Sequence, residues 1–133
     1  MSYSIDQNPH KGNRGILRAW RAAINSWNGL VFAYQEESAF RQELCLAAIL
    51  LPLALILPVD TVERILMIGS VALILLVELL NSSIEAAIDR ISFEHHALSK
   101  RAKDFGSAAV MIALLLCIFT WSMITYPLLK NLS

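Results

Sequence analysis

The stretch that decides the fold is ILMIGSVALILLV (65–77), followed directly by ELLNSSIEAAIDR (78–90). The first part contains no charged residue, and the second continues the helical pattern while adding acidic side chains. An uncharged apolar run at the start of a long helix is typical of a membrane span, which needs about 20 residues. The sequence therefore predicts a transmembrane helix over residues 65–90.

Two further apolar runs flank this stretch, LCLAAILLPLALIL (44–57) and residues 106–129. The first extends to a span over 39–59, in which neighbouring helices can compensate for Pro52. The other predicts a span over 105–129, with Trp121 and Tyr126 placed as interfacial aromatic residues. Hydrophobic residues make up 56% of the 133 residues, against about 45–50% in soluble domains. The predicted fold class is an all-α membrane protein.

The distribution of Lys and Arg predicts the orientation of the spans. The connection over 58–64 and the C-terminus hold one basic residue each, whereas the other two segments hold most of them. By the positive-inside rule, the N-terminus and the second connection are cytoplasmic and the C-terminus lies outside. The basic residues before the first span are Lys11, Arg14, Arg18, Arg21 and Arg41, and those after the second are Arg90, Lys100, Arg101 and Lys103.

Residues 14–36 predict an amphipathic helix that lies in the membrane interface. Apolar residues, including Trp20 and Trp27, recur at helical spacing, and Arg18 and Arg21 fall mostly on the other side. The predicted organisation is a flexible N-terminus over 1–13, this interfacial helix, and a three-helix transmembrane domain over 37–133.

An acidic stripe marks the cytoplasmic half of the second span. At about 100° per residue, Glu85 and Asp89 lie roughly 20° either side of Glu78, with Asn81 about 60° away. An acidic side chain at the bilayer centre costs on the order of 2.5–3.5 kcal/mol, so such residues usually serve function. Asn81 is also compatible with a purely structural hydrogen bond between helices. Asp89, beside Arg90 near the interface, is given no task.

The acidic stripe predicts a site for a hard divalent cation such as Mg²⁺ with phosphate. Carboxylates on one face repel each other unless a proton or cation separates them, and Mg²⁺ favours carboxylate and phosphate oxygens. Arg18 and Lys103 are candidates to neutralise phosphate charge. The sequence has no P-loop motif, and His95–His96 lacks a third zinc ligand at helical spacing. Equal numbers of acidic and basic residues predict no nucleic-acid partner.

Three segments together resemble the prokaryotic diacylglycerol kinase family of small three-span membrane enzymes. They are ESAFRQE (37–43), VELLNSSIEAAIDRI (77–91) and EHHALSKRAKDFGSAAV (94–110). The resemblance runs from about Arg14 into the last span, in the order and spacing of the family. It implies a Mg²⁺-dependent homotrimer of the bacterial inner membrane, with a periplasmic C-terminus. The implied reaction transfers the γ-phosphate of ATP to the hydroxyl of diacylglycerol.

The resemblance also implies roles for individual residues. Glu78 corresponds to the catalytic base, and Glu37 and Glu85 to metal-binding glutamates. The implied ATP-binding residues are Arg18, Asn25, Glu37, Glu85, Glu94, His95, His96, Lys103 and Asp104. The implied lipid-binding residues are Ala22, Ala23, Trp27, Ala39, Arg41, Glu43, Arg64, Ser107 and Trp121. Asn81 is a supporting polar group. Asn25 and His95 stand where tyrosine is expected, which affects nucleotide affinity and base selectivity rather than the reaction.

Three alternative functions remain open from the sequence. The same chemistry could act on undecaprenol, although AFRQE and GSAAV look more like the diacylglycerol type. Intramembrane carboxylates also mark ion pathways, so an ion-conducting subunit is a second alternative. Polar residues along the outer half would favour a channel, but residues 65–77 offer only Ser70. A structural subunit without activity is the third.

Overall fold

The computed structural model of the protein describes residues 15–132, with side chains to residue 131. The described chain forms four α-helices and no strand: α1 Ile16–Glu36, α2 Ser38–Ile56, α3 Thr61–Ile91 and α4 Ala97–Leu132. The predicted flexible segment 1–13 and the basic residues Lys11 and Arg14 lie outside the described residues. Helices α2, α3 and α4 are each long and apolar enough to cross a membrane, which confirms an all-α protein of three potential spans.

Helix α3 carries Glu78, Asn81 and Glu85, and its start is fixed by a capping box. Asp60 accepts a hydrogen bond from the Glu63 backbone N–H at 2.8 Å, and Glu63 accepts one from the Asp60 N–H at 3.0 Å. Arg64 then donates to the carbonyls of Leu57 and Val59 at 3.1 and 3.3 Å. These contacts close the connection between α2 and α3.

The core is a narrow seam in which α3 packs against both α2 and α4. The buried residues recur at helical spacing: Ala47 and Ala54 on α2, Met67, Val71 and Ile74 on α3, and Ala113, Cys117 and Trp121 on α4. The alanines let backbones approach closely, which is how helices associate where apolar burial alone gives no driving force.

Trp121 lies inside this seam. Its side chain is 9% exposed, and its indole N–H donates to the Met67 carbonyl at 3.3 Å. The Ser70 hydroxyl donates to the same carbonyl at 2.8 Å. Trp121 was predicted as an interfacial, lipid-contacting residue, and within the single chain it joins α4 to α3.

All four basic residues predicted in the second connection lie on helices. Arg90 is in the last turn of α3, and Lys100, Arg101 and Lys103 are in the first turns of α4. The connection itself is only Ser92 to His96. These basic side chains are therefore held on helices rather than on the connecting loop.

Replacing Ala54 with leucine is expected to destabilise the helical domain by about 1–3 kcal/mol, because this side chain is fully buried and the added atoms overpack the seam. Unfolding in mixed micelles followed by circular dichroism measures the effect. Ala48→Leu is the matched control, since Ala48 lies exposed on the same helix. Equal destabilisation by both substitutions would contradict the seam.

Candidate active site

The Glu78 carboxylate lies at the C-terminal end of the α3 core seam. Met67, Val71, Ile74 and Glu78 follow one another at spacings of three and four residues, so Glu78 continues the buried face. Its side chain is 4% exposed, and it makes no hydrogen bond to another described side chain. A carboxylate in such a place requires a proton, a cation or a polar ligand.

Three other carboxylates converge on Glu78. Glu37, from the junction of α1 and α2, and Glu85, two turns further along α3, both repel it electrostatically. Glu43 on α2 is repelled by it as well, and one oxygen of Glu43 is buried with no hydrogen-bond partner. Glutamates from two helices and a helix junction therefore share one region, and this concentration of negative charge favours a cation.

Asn81 supports this region through a close approach between α3 and α4. Its amide donates to Glu85 at 3.4 Å, while its oxygen is buried without a hydrogen-bond partner. That oxygen rests against Gly106 of α4, where a Cβ atom would collide with it. A side chain at position 106 would therefore displace the Asn81 amide from its present place beside Glu85.

A groove of about 630 Å³ opens between α1 and the C-terminal half of α3. Glu37 lies at one end of it, beside the acidic region. The groove walls are mainly apolar with several hydroxyl groups, which suits a lipid with a small polar head. Its lining residues are Ser26, Gly29, Leu30, Phe32, Ala33, Glu36, Glu37, Leu79, Ser82, Ser83 and Ala86.

A second cavity, of about 440 Å³, lies between the end of α3 and the start of α4. It brings together five of the predicted nucleotide-binding residues: Glu94, His95, His96, Lys103 and Asp104. The cations in its wall are paired with acids. Lys103 donates to Asp89 at 2.7 Å, and Lys100 donates to Asp104 at 2.6 Å. Glu85 also attracts Lys103, which links this cavity to the acidic region.

Other predicted site residues are not brought to the acidic region in the described chain. Arg18, Ala22, Ala23, Asn25 and Trp27 are exposed on α1, and no hydrogen bond or ion pair joins Arg18 or Asn25 to that region. Ala39 and Ser107 are exposed as well. The remaining predicted lipid residues make contacts within the chain: Arg41 with the end of α1, Arg64 with the α2–α3 connection, and Trp121 with the core.

The carboxylate oxygens are of the chemical type that Mg²⁺ prefers, but they do not form a complete set of metal ligands. Within residues 15–132, no group of three or more His, Cys, Asp or Glu side chains is arranged to hold a metal ion. Mg²⁺ commonly takes only one or two protein carboxylates, with water and substrate phosphate completing its shell. Glu37 and Glu85, which both interact electrostatically with Glu78, carry hard oxygen atoms of that kind.

The structure gives a contact to Asp89, a charged residue to which the sequence analysis assigned no role. Asp89 is the partner of Lys103, although the two are separated by 14 positions. The sequence could have predicted this pair, because both residues lie near the short connection that joins α3 to α4. The hydroxyl-bearing groove residues Ser26, Ser82 and Ser83 were also missed. Their helical periodicity alone does not show which neighbouring helix they face.

This arrangement defines a helical protein with a buried acidic region beside an apolar groove and a charged cavity, and known proteins are similar to it in sequence. The model of the family "Prokaryotic diacylglycerol kinase" matches residues 24–125. A diacylglycerol kinase of Escherichia coli (strain K12) is 47% identical over 112 residues, 84% of this chain and 92% of the relative. That of Pseudomonas aeruginosa is 48% identical over 120 residues, 90% and 98% of the two chains. The diacylglycerol kinase of Haemophilus influenzae is 50% identical over 112 residues, which cover 84% of this chain and 95% of the relative.

The chain therefore belongs to the prokaryotic diacylglycerol kinase family. Membership confirms the resemblance found in the sequence and the prediction of an enzyme of the lipid kinase class. It also disfavours the ion-conducting and purely structural alternatives.

The two ion pairs of the charged cavity are expected to contribute little to stability, each below about 1 kcal/mol, because their side chains are 40–78% exposed. Double-mutant cycles with Asp89→Asn and Lys103→Met, and with Lys100→Met and Asp104→Asn, measure the couplings. The less exposed Lys103–Asp89 pair is expected to show the larger one, decreasing with added salt. A coupling of several kcal/mol for either pair would refute this weak-pair prediction.

Proposed function

We propose that this protein transfers the γ-phosphate of ATP to the hydroxyl of diacylglycerol, giving phosphatidic acid and ADP. The observation that carries the proposal is the buried Glu78 carboxylate among other glutamates, with a lipid-suited groove on one side and a charged cavity on the other. The relatives named diacylglycerol kinase support the choice of lipid.

In the proposed reaction, the lipid lies in the groove between α1 and α3 with its hydroxyl directed at Glu78. Glu78 accepts the hydroxyl proton while the lipid oxygen forms a bond to the γ-phosphorus. The bond from that phosphorus to the β–γ bridging oxygen breaks, and ADP leaves. General-base catalysis of this kind contributes typically about 10²- to 10⁴-fold, and positioning and charge neutralisation supply the rest.

The charged groups of the site would bind and orient the nucleotide. The chemistry that a bound Mg²⁺ supplies is neutralisation of the phosphate oxygens, and Glu37 and Glu85 would hold it. Lys103 would exchange its contact with Asp89 for a phosphate oxygen. The proposed nucleotide contacts in the charged cavity are Glu94, His95, His96 and Asp104, with Arg18 and Asn25 contributed by α1.

The cellular setting is also a proposal. The bacterial inner membrane would place the acidic region and the charged cavity at the cytoplasmic face, where ATP is present, and the C-terminus in the periplasm. Helix α1 would lie in the interface, with its exposed Trp20 and Trp27 among the lipids. A homotrimer would cover the large apolar surfaces that the single chain exposes and could bring α1 residues of one subunit to the site of another.

Purified protein in mixed micelles, given labelled ATP with equal amounts of diacylglycerol and undecaprenol, is expected to label diacylglycerol. Glu78→Gln is expected to lower kcat by about 10²- to 10⁴-fold, because it removes the proton acceptor. Size-exclusion chromatography checks that the oligomer is unchanged.

The matched control for this experiment is Glu63→Gln, an equivalent change in the α3 capping box, where glutamine still caps the helix. Preferential labelling of undecaprenol would assign the chain to the other lipid. Full activity in Glu78→Gln would refute the proposed base.

Glu85→Gln is expected to raise the Mg²⁺ concentration for half-maximal activity by about tenfold or more. Changes in the outer shell of a metal site alone cost about 10- to 100-fold in affinity, and this substitution removes a proposed ligand. Activity measured against Mg²⁺ concentration, with Glu63→Gln alongside, provides the test. An unchanged half-saturation with a lower kcat would show that Glu85 does not bind the metal.

A further inference from the structure

The junction between α1 and α2 is a single residue, Glu37. Its backbone is extended, with φ −104° and ψ 110°, so it ends one helix and begins the next. Its N–H donates to the Ala33 carbonyl at 2.9 Å. This residue is also one of the two proposed metal ligands, and it lines the groove. The direction of the chain at Glu37 therefore decides where its carboxylate points and how far α1 stands from α3.

The last turn of a helix leaves four carbonyl groups without partners inside the helix. In α1 the Glu37 N–H satisfies one of them, and the last turn carries no basic residue of its own. Arg41, one turn into α2, supplies the missing donor. Its Nη1 donates to the Tyr34 carbonyl at 2.9 Å and to the Gln35 carbonyl at 3.0 Å. A cation at a helix C-terminus is also favoured by the helix dipole.

Little else holds α1 in place. Ala33 is the only residue of α1 that is buried, whereas large side chains such as Trp20, Trp27 and Phe32 are more than 60% exposed. The groove wall on the α1 side runs from Ser26 to Glu36, so it includes the last turn of α1, whose carbonyls Arg41 binds. Loss of the Arg41 contacts would therefore free the end of α1, the groove wall and Glu37 together.

We propose that Arg41 is a positioning residue: its guanidinium fixes the α1–α2 junction, and through it the placement of Glu37 and the width of the groove. The proposal rests on the proposed function for the meaning of Glu37 and the groove. It differs from direct contact with the lipid, which the family resemblance implies for this position. Both N–H groups of Nη1 are engaged by backbone carbonyls before any ligand is present.

The chemistry of the contact distinguishes two substitutions. Both hydrogen bonds come from one nitrogen, so the ammonium of Arg41→Lys can replace it, whereas Arg41→Met keeps a long side chain and removes every donor. Arg21→Met is the matched control. It removes a cation from exposed α1, where no hydrogen bond or ion pair joins Arg21 to the described residues.

The primary measurement is hydrogen–deuterium exchange of the full-length protein in nanodiscs, without ATP, Mg²⁺ or diacylglycerol. In Arg41→Met, peptides covering the last turn of α1 are expected to exchange about tenfold faster than in wild type. Arg41→Lys and Arg21→Met are expected to stay close to wild type. Peptides from Met67 to Ile74 report whether the core remains intact.

The second measurement is the Mg²⁺ dependence of lipid phosphorylation. In Arg41→Met the half-saturating Mg²⁺ concentration is expected to rise severalfold, with a smaller change in kcat, and Arg41→Lys is expected to restore it. Unchanged exchange together with a raised KM for diacylglycerol alone would overturn the proposal in favour of direct lipid contact. Loss of protection in the core as well would overturn it by showing a global effect. Absence of lipid phosphorylation in wild type would refute the proposed function, while the exchange result would still decide the role of Arg41 at the junction.

Discussion

The Glu78 carboxylate is buried in a helix that is long and apolar enough to cross a membrane. The arrangement of the rest of the site depends on this burial. An ionised acid at membrane depth costs on the order of 2.5–3.5 kcal/mol even by the lower scales. The repulsion from Glu37, Glu43 and Glu85 adds to that cost. Such a region is retained only where a cation or substrate stabilises it, which explains why it opens toward a groove and a charged cavity.

The packing that surrounds this region is correspondingly light. Alanines and one glycine form the closest helix contacts, and the fully buried side chains are few. Close backbone approach stabilises helices in lipid by dispersion and hydrogen bonding, because burial from lipid gives little hydrophobic gain. One consequence is visible at Gly106, where the approach of α4 is used to seat Asn81 against Glu85. The same contact therefore contributes to packing and orders the acidic region.

The sequence predicted the elements of this structure better than the contacts between them. Apolar runs locate α2, α3 and α4, because spanning a membrane requires both length and the absence of charge. The acidic stripe follows from helical periodicity alone. The pairing of Lys103 with Asp89 and the burial of Trp121 depend on how the helices are rotated about their axes. The periodicity of a single helix does not show how that helix is rotated relative to its neighbours. The contacts of Arg41 could not be predicted from the sequence either. Its partners are backbone carbonyls, which every residue type carries.

The exposure of the ion pairs in the charged cavity is suited to the proposed nucleotide binding. Side chains that are about half exposed are well hydrated, so breaking the contact between Lys103 and Asp89 has a small free-energy cost. The Asp89 carboxylate keeps Lys103 directed into the cavity, yet a polyphosphate carries more charge and more acceptor oxygens than one carboxylate. A deeply buried pair would hold the lysine too firmly to exchange partners. In the proposed reaction, the geometry at the α3–α4 turn would thus orient the Lys103 cation and still allow its release to a phosphate.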